Sequence, residues 1–467
     1  MMGIQIVILW SDLLIWLLVA AGIGVGLLIA RDPPLLSAWR RVGANRVGMA
    51  SATVLLAFIV IGLLDSLHYR VALEGKPGQK VQYAIEVLSL LDAVATPLRT
   101  RSEKTYSEPF ATRLYAKETI DVPGRGSVRD YPRLKHGGQH LGERENEVVA
   151  DASFTAFRAG VLAFLGWLAV ARMASVVVGR GDSTAASGWQ KIWRGETAFA
   201  WNAVLLTLGL MLLVAVPLFW LSGQYHVFGT DKVGQDVLYQ ILKSVRTGLI
   251  IGLVTTLVML PVAVLLGIVA GYFRGWVDDV IQYLYTVLNS IPGVLLIAAA
   301  VLMMQVVIDT HPQWFSTAAE RADLRLLALC FILGITSWTG LCRLLRGETL
   351  KLRELEYIQA AQAFGVSNWR IIVRHILPNL MHIVIIALVM DFSGLVLAEA
   401  VLSYVGIGVD PSMTSFGTMI NNARMELGRE PVVWWSLAAA FAAMFILVLA
   451  ANLFADAVRD AFDPRAA

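Results

Sequence analysis

Long apolar runs alternate along the chain with short basic stretches and one long polar block. A helix that crosses a membrane needs roughly 20 apolar residues. Nine runs meet or approach that length: 4–30, 48–64, 153–178, 199–221, 246–271, 280–308, 324–342, 380–405 and 432–455. The second is short but uncharged. The pattern predicts an all-α polytopic membrane protein. Composition agrees, because 57% of the 467 residues are hydrophobic and only 16% are charged, where soluble domains carry about 25%. The net charge of +3 points to no particular partner, and nucleic acid is not expected as one. The first run is too long for a cleavable signal and lacks a small-residue cleavage site. Cys330 and Cys342 read as packing residues, since two cysteines exclude a disulfide framework.

Orientation follows from Lys and Arg in the short loops. Loop 31–47 carries Arg31, Arg40, Arg41 and Arg46; loop 179–198 carries Arg180, Lys191 and Arg194. Loop 343–379 carries Arg343, Arg346, Lys351, Arg353, Arg370 and Arg374. With nine spans these loops share one side, expected to be cytoplasmic, with the N-terminus outside and the C-terminus inside. Lys243 and Arg246, at the outer end of a span, run against this pattern.

The polar block 65–152 falls outside on this count. Its 13 basic residues do not veto that, because long loops cross membranes largely regardless of charge. One helix is expected near 80–95, with the rest irregular or forming a small cap. A weak internal echo links "LSAWRRVGANRVGMASATVLL" before the second span to "ASGWQKIWRGETAFAWNAVLL" before the fourth. It reads either as two interfacial Trp/Arg belts or as a duplicated helix pair.

The stretch "EYIQAAQAFGVSNWRIIVRHILPN" at 356–379 is polar yet lies between two spans. Leu350–Phe364 is expected to be one helix, ending in small residues that admit close backbone approach. Gly365 suits the left-handed position that stops a helix. Ser367 suits the N-cap of a second helix, in which Trp369, Ile372, Val373, Ile376 and Leu377 make one apolar side. Pro378 is expected to mark a turn into the next span. An ordinary interfacial amphipathic helix is the alternative reading.

This stretch resembles the EAA loop of permease subunits of binding-protein-dependent ABC importers. That pattern is Glu-Ala-Ala, three residues, Gly, nine residues, Ile, one residue, Leu-Pro. It falls here on Gln359, Ala360, Ala361, Gly365, His375, Leu377 and Pro378, with Gln for Glu and His for Ile. "FGTDKVGQDVLYQILKSVRTGL" at 228–249 resembles a motif of the dipeptide/oligopeptide/nickel branch, with Gly229, Thr230, Asp231, Gly234 and Asp236 matching and Gln235 in place of Arg. "SWTGLCRLLRGETL" at 337–350, "EAVLSYVGIGVDPSMTSFGTMI" at 399–420, "NLFADAVRDAFDP" at 452–464 and "LLSAWRRVGANRVG" at 35–48 also resemble that branch. Tyr283 and Thr286 stand where the branch usually has an Arg/Asp pair. The resemblance implies a type I importer core of six spans within 199–467, with about three extra N-terminal spans. It assigns coupling to a cytoplasmic ATPase to the loop 350–379, through Glu356, Gln359, Ala360, Ala361, Gly365, Leu377 and Pro378.

The chain lacks a P-loop, H-E-x-x-H, G-x-S-x-G and any Cys/His cluster. No cofactor is expected on it; ATP and Mg are expected on partner subunits. His136 and His140 are separated by a pair of glycines that disfavour a shared helix face, and Asp231 and Asp236 read as a turn and a helix start rather than a catalytic pair. The eighth run holds Asp391 near its middle and Glu399 nearer the outside. An intramembrane carboxylate is a functional candidate by default; Asp391 either faces the translocation path or makes a structural hydrogen bond. Pro261 and Pro292 are candidate kinks.

The regions expected are therefore 1–64, two spans and a basic loop; 65–152, an extracytoplasmic insert; 153–198, a further span and linker; and 199–467, the permease core. The resemblance implies a prokaryotic plasma (inner) membrane, a homologous second permease, one or two ABC ATPases and an extracytoplasmic substrate-binding protein, with membrane lipid around the spans. The expected cargo is peptides or similar small solutes. The rival is an ion-coupled secondary transporter using Asp391, which predicts paired charges across several spans.

Overall fold

The structure is a computed structural model that describes every residue except 1–2, 74–81, 123–125, 143, 180–184, 316 and 463–467. Arg180 of the basic-loop reading, Lys80 and Val81 of the expected 80–95 helix, and Asp463 and Pro464 at the end of the 452–464 segment lie outside the described residues. Among those described, nine helices are long and apolar enough to span a membrane: Trp10–Ile29, Arg46–Asp65, Glu145–Val178, Trp201–Ser222, Val237–Phe273, Gly293–Thr310, Ala318–Arg353, Asn368–Val405 and Trp435–Phe462. The chain divides into two compact units.

One unit comprises residues 1–8, 28–247 and 414–454. The first apolar run begins as a strand, Ile4–Val7, and turns helical only at Trp10. That strand pairs antiparallel with His68–Val71, which pairs in turn with Leu88–Ser89. Two spans separate 4–7 from 68–71, so the pairing fits their lying on one side. The expected 80–95 helix is confined to Leu90–Val94, because Ser89 and Asp92 form a capping box that fixes its start there. Tyr83 bridges to Ala72 instead. Another hairpin joins Glu118–Val122 to Gly126–Asp130, and the third spanning helix begins at Val148.

The internal echo has a structural counterpart. Both stretches form a short amphipathic helix ahead of a span: Pro33–Ala44 before Arg46–Asp65, and Ala185–Arg194 before Trp201–Ser222. The two meet where the Ala200 N–H donates to the Gly43 carbonyl at 2.8 Å, and a Cβ on Gly43 would strike the Phe199 ring. Gly209 lets Trp167 pack close enough to donate to the Leu205 carbonyl at 2.7 Å. Small residues serve such crossings because helices in lipid associate by close packing.

The charges that ran against the orientation pattern have local explanations. Lys243 Nζ lies 2.5 Å from Asp65 and 3.3 Å from Asp92, both buried. Tyr239 donates to Asp92 at 2.7 Å. Arg246 is buried and engaged. Lys243 is thus an internal counter-charge rather than a loop charge.

The other unit comprises residues 9–27, 248–413 and 455–467. Gly267 and Gly271 admit the backbone and side chains of Cys342, Leu345 and Thr349, and Gly334 receives Val258. Cys330 and Cys342 are free and buried. The run 280–308 is not one helix: Trp276–Ser290 stops, and Gly293–Thr310 begins after Pro292. Ile291 is extended, the conformation a following proline favours. Pro261, by contrast, sits inside an unbroken helix.

Replacing Lys243 with Met leaves two buried carboxylates without their cation. The expected loss is about 3 kcal/mol, read as a lowered melting temperature in detergent; an unchanged melt would contradict the pairing.

Candidate functional site: the coupling loop and the Gly-Thr-Asp turn

The 350–379 stretch builds a helix–turn–helix, with boundaries that differ from the sequence reading. The expected single helix over 350–364 is broken: Thr339–Arg353 ends, Leu355 is extended, and Glu356–Ala363 follows. Tertiary ties coincide with the break. Arg353 donates to the Tyr272 carbonyl at 2.7 Å, and Arg274 pairs with Glu354. Gly365, at φ +73°, stops the second helix. The Gly365 N–H reaches the Gln362 carbonyl at 3.0 Å and the Val366 N–H reaches Ala361 at 3.1 Å, the bond pair of a Schellman motif.

Ser367 occupies the N-cap position without a side-chain cap bond. The expected turn at Pro378 is absent. Asn368–Ile371 passes through one π-type turn, Ile372–Ile376, directly into Leu377–Val405. A proline lacks its N–H and clashes with the carbonyl four residues back, and widening the preceding turn relieves both. The buried side of this segment is Ile371, Ile372 and Ile376, while Trp369 and Val373 face outward.

Two ties hold the helix–turn–helix to its unit, and a third braces the helix that precedes it. Ile358 is buried with Ile371, Ile372 and Ile376 in the unit's core. The Tyr272 hydroxyl donates to Asn368 at 2.9 Å and accepts from Gln362 at 3.2 Å. Arg346 makes a two-pronged bond with Asp278 at 2.5 and 2.7 Å. Glu356, Gln359, Ala360, Gly365 and Pro378 are exposed; Ala361 and Leu377 are half-buried. Tyr357, Phe364 and Trp369 add exposed aromatic surface. Tyr272 had no signal in the sequence, being one aromatic among many near a helix end.

In the other unit, Gly229, Thr230, Asp231, Gly234 and Asp236 form a tight turn. Gly229 and Gly234 have φ of +69° and +74°. Asp231 accepts the N–H groups of Val233 and Gln235 at 2.9 and 2.8 Å. Asp236 accepts the N–H of Leu238 at 2.8 Å, at the start of Val237–Phe273. These bonds account for both aspartates as turn and helix-start groups.

A buried charged trio adjoins the turn. His226 Nδ1 lies 2.8 Å from Asp236, and its Nε2 lies 3.4 Å from Glu103. Glu103 also accepts the N–H groups of Lys135, His136 and Gly137 at 2.8, 2.7 and 3.1 Å. Burial opposes ionisation of Glu103, yet the His226 bond and the three N–H groups hold its carboxyl at about 2. Burial likewise opposes charge on His226, but its bonds to Asp236 and Glu103 raise it to about 9. His226 was visible in the sequence as a lone titratable residue just before the turn. Glu103 carried no signal, being 123 residues away. Of His136 and His140, which the sequence did not favour as a ligand pair, His140 engages Asp151 at 2.8 Å, and no group of three metal-ligating side chains occurs among the described residues.

The two carboxylates of the eighth span differ. Glu399 is buried and accepts from Ser403 at 2.5 Å. Asp391 is half-buried, with no hydrogen-bond or ion-pair partner among the described residues. Ser393, one conceivable partner, donates to the Met390 carbonyl.

Residues 263–467 match the family described as "Binding-protein-dependent transport system inner membrane component". The glutathione transport system permease protein GsiD of Pectobacterium atrosepticum is 31% identical over 324 residues, covering 64% of this chain and 98% of the relative. The chain belongs to this family of transport permeases. The oligopeptide transport system permease protein OppC of Mycobacterium tuberculosis is 31% identical over 242 residues, covering 52% of this chain and 77% of the relative. The peptidoglycan transport system permease protein YejE of Agrobacterium fabrum is 34% identical over 245 residues, covering 52% and 58%. The permease is a multi-pass inner-membrane subunit of an ATP-driven importer and is not an enzyme. Its family works with permease, ATPase and substrate-binding partners. The ion-coupled rival gains no support from these relatives.

The trio gives a pH prediction. Groups facing His226 are Glu103, Asp236, His136 and Arg101. His226, raised from 6.5, stabilises the fold fully below 6.5 and loses that contribution as pH rises through about 9. Glu103, lowered from 4.5, stabilises fully above 4.5 and loses it as pH falls toward about 2. The detergent-solubilised permease should melt highest between these limits and decline on the alkaline side. His226→Gln should flatten that alkaline decline; an equal decline in both proteins would contradict the trio.

Proposed function

We propose that the permease forms half of the translocation path for peptides or similar small solutes and takes its power from ATPases docked on 350–379. The supporting observation is the Schellman-stopped helix Glu356–Ala363, braced through Tyr272 and Ile358 while its Gln359–Ala360 edge stays exposed. Such a short, braced helix transmits a rigid-body push. Glu356, Gln359, Ala360, Ala361, Gly365, Leu377 and Pro378 form or position the docking surface, with Tyr357, Phe364 and Trp369 as its apolar part. ATP and Mg bind to one or two partner ATPases, a homologous permease supplies the other half of the path, and a substrate-binding protein delivers cargo outside. Peptide cargo is argued from the relatives, whose names specify glutathione, dipeptides and oligopeptides.

The N-terminus lies outside and the C-terminus inside in this reading. The pairing of strand 4–7 with the insert and the internal role of Lys243 both favour it. Counting spans inward from the insert brings 354–367 to the cytoplasmic side. The region 199–467 is the transport core, with the Gly-Thr-Asp turn at its outer face. Asp391 faces the path and meets a cargo ammonium, since a carboxylate without a partner among the described residues calls for water or ligand beside it. Glu399, on the same helix and nearer the outside, is assigned to the path by its position in the sequence; in the structure it is buried and bonded to Ser403.

Two experiments test this reading. The tagged permease, isolated from native membranes in mild detergent, should bring down a P-loop ATPase and a second permease. Gly365→Trp, at a site with open space around the Cβ, should weaken ATPase recovery about tenfold while retaining the second permease. Recovery of the chain alone, where a known importer stays intact, would contradict the proposal. In reconstituted vesicles Asp391→Asn should slow uptake of peptides with a free amino terminus and spare N-acetylated ones; unchanged uptake of both would remove Asp391 from the path.

A further inference from the structure

We propose that the polar insert is a fixed wall of the importer's outer mouth, joined to the Gly-Thr-Asp turn so that the two move as one body, with Glu103 as the positioning residue that acts through His226. The inference rests on the importer reading above.

The seam is built from backbone as well as side chains. The Glu103 N–H donates to the Gly234 carbonyl at 2.9 Å, and the Thr230 N–H donates to Ser107 at 3.1 Å. The Thr230 hydroxyl accepts the Ser107 N–H at 2.7 Å and donates to the Thr105 carbonyl at 2.9 Å. A Cβ on Gly234 would overlap the Glu103 carbonyl, so the glycine that permits the turn also permits the close approach of the insert. Trp435, buried, donates to the Thr230 carbonyl at 3.0 Å and packs edge-on against Tyr115 of the insert at 4.9 Å between centroids.

The side-chain chemistry argues against a lid. Lids are drawn from segments with few buried contacts. Parting this seam would break the buried Glu103–His226 pair together with the Glu103–Gly234 and Ser107–Thr230 bonds, a set of contacts that a lid would have to remake at each closure. The insert is tied a second time, through Asp92 to Lys243 and Tyr239 on the helix that the turn begins. Glu103 touches no cargo. It fixes His226, His226 fixes Asp236, and Asp236 holds the first turn of that helix.

The test uses the complete importer in proteoliposomes. Ser107→Cys and Thr230→Cys are placed in a chain carrying Cys330→Ala and Cys342→Ala; the native hydroxyls are 3.1 Å apart. Mild oxidation should close the disulfide. Uptake and binding-protein-stimulated ATP hydrolysis should then agree between oxidised and reduced protein within about twofold. Loss of uptake on oxidation, restored by reductant, would show that the insert must leave the turn and would overturn the proposal, as would failure of the disulfide to form. The cysteine-free chain in the same vesicles tests the importer reading by itself. A second measurement needs no transport: Glu103→Gln still accepts N–H bonds but removes one charge beside His226. Its alkaline fall in melting temperature should move to lower pH. An unmoved alkaline fall would deny Glu103 its positioning role.

Discussion

A polar group taken out of water must find its partner inside the protein, and most of this permease's architecture is an answer to that requirement. Lys243 meets Asp65 and Asp92, Arg346 meets Asp278, Arg325 meets Asp410, and Glu399 meets Ser403. The first three pairings join segments whose apolar surfaces alone would leave their relative register open; the last lies within one helix. Asp391 departs from the rule among the described residues, and that departure gives it functional interest.

Two rigid devices follow from the same economy of backbone bonds. At the coupling loop, Gly365 lets the last carbonyls of one short helix be satisfied by the next residues' N–H groups, so the loop ends sharply without help from solvent. Near Pro378 a π-type turn absorbs the missing donor, leaving the second short helix continuous with the span behind it. The helix therefore runs from the loop into the span without a break. At the Gly-Thr-Asp turn, Gly229 and Gly234 perform the equivalent service, closing a hairpin whose aspartates satisfy the N–H groups of the turn and of the helix start.

Much of this was legible in the sequence because it is local. Apolar length predicted the spans, Gly365 announced a left-handed stop, and the Gly-Thr-Asp spacing read correctly as turn and helix start. Local signals failed where a distant partner decided the outcome. The helix expected across 350–364 breaks where Arg353 and Glu354 are drawn to Tyr272 and Arg274. The helix expected at 80–95 shrinks because strand pairing claims Leu88 and Ser89. Pro378 was read as a turn because periodicity does not distinguish a break from a π-type widening. Glu103 and His226 stayed hidden as a pair, since no pattern in either segment points to the other.

The central claim is that ATP hydrolysed by a partner reaches this chain through the exposed edge of Glu356–Ala363. A photo-crosslinking side chain at Gln359, with a second at the exposed Val233 of the outer turn as its counterpart, tests it most directly in the assembled importer. The account predicts an adduct with the ATPase from position 359 and none with it from position 233. Only lipid adducts from position 359 would contradict the coupling site, and an ATPase adduct from position 233 would contradict the orientation as well.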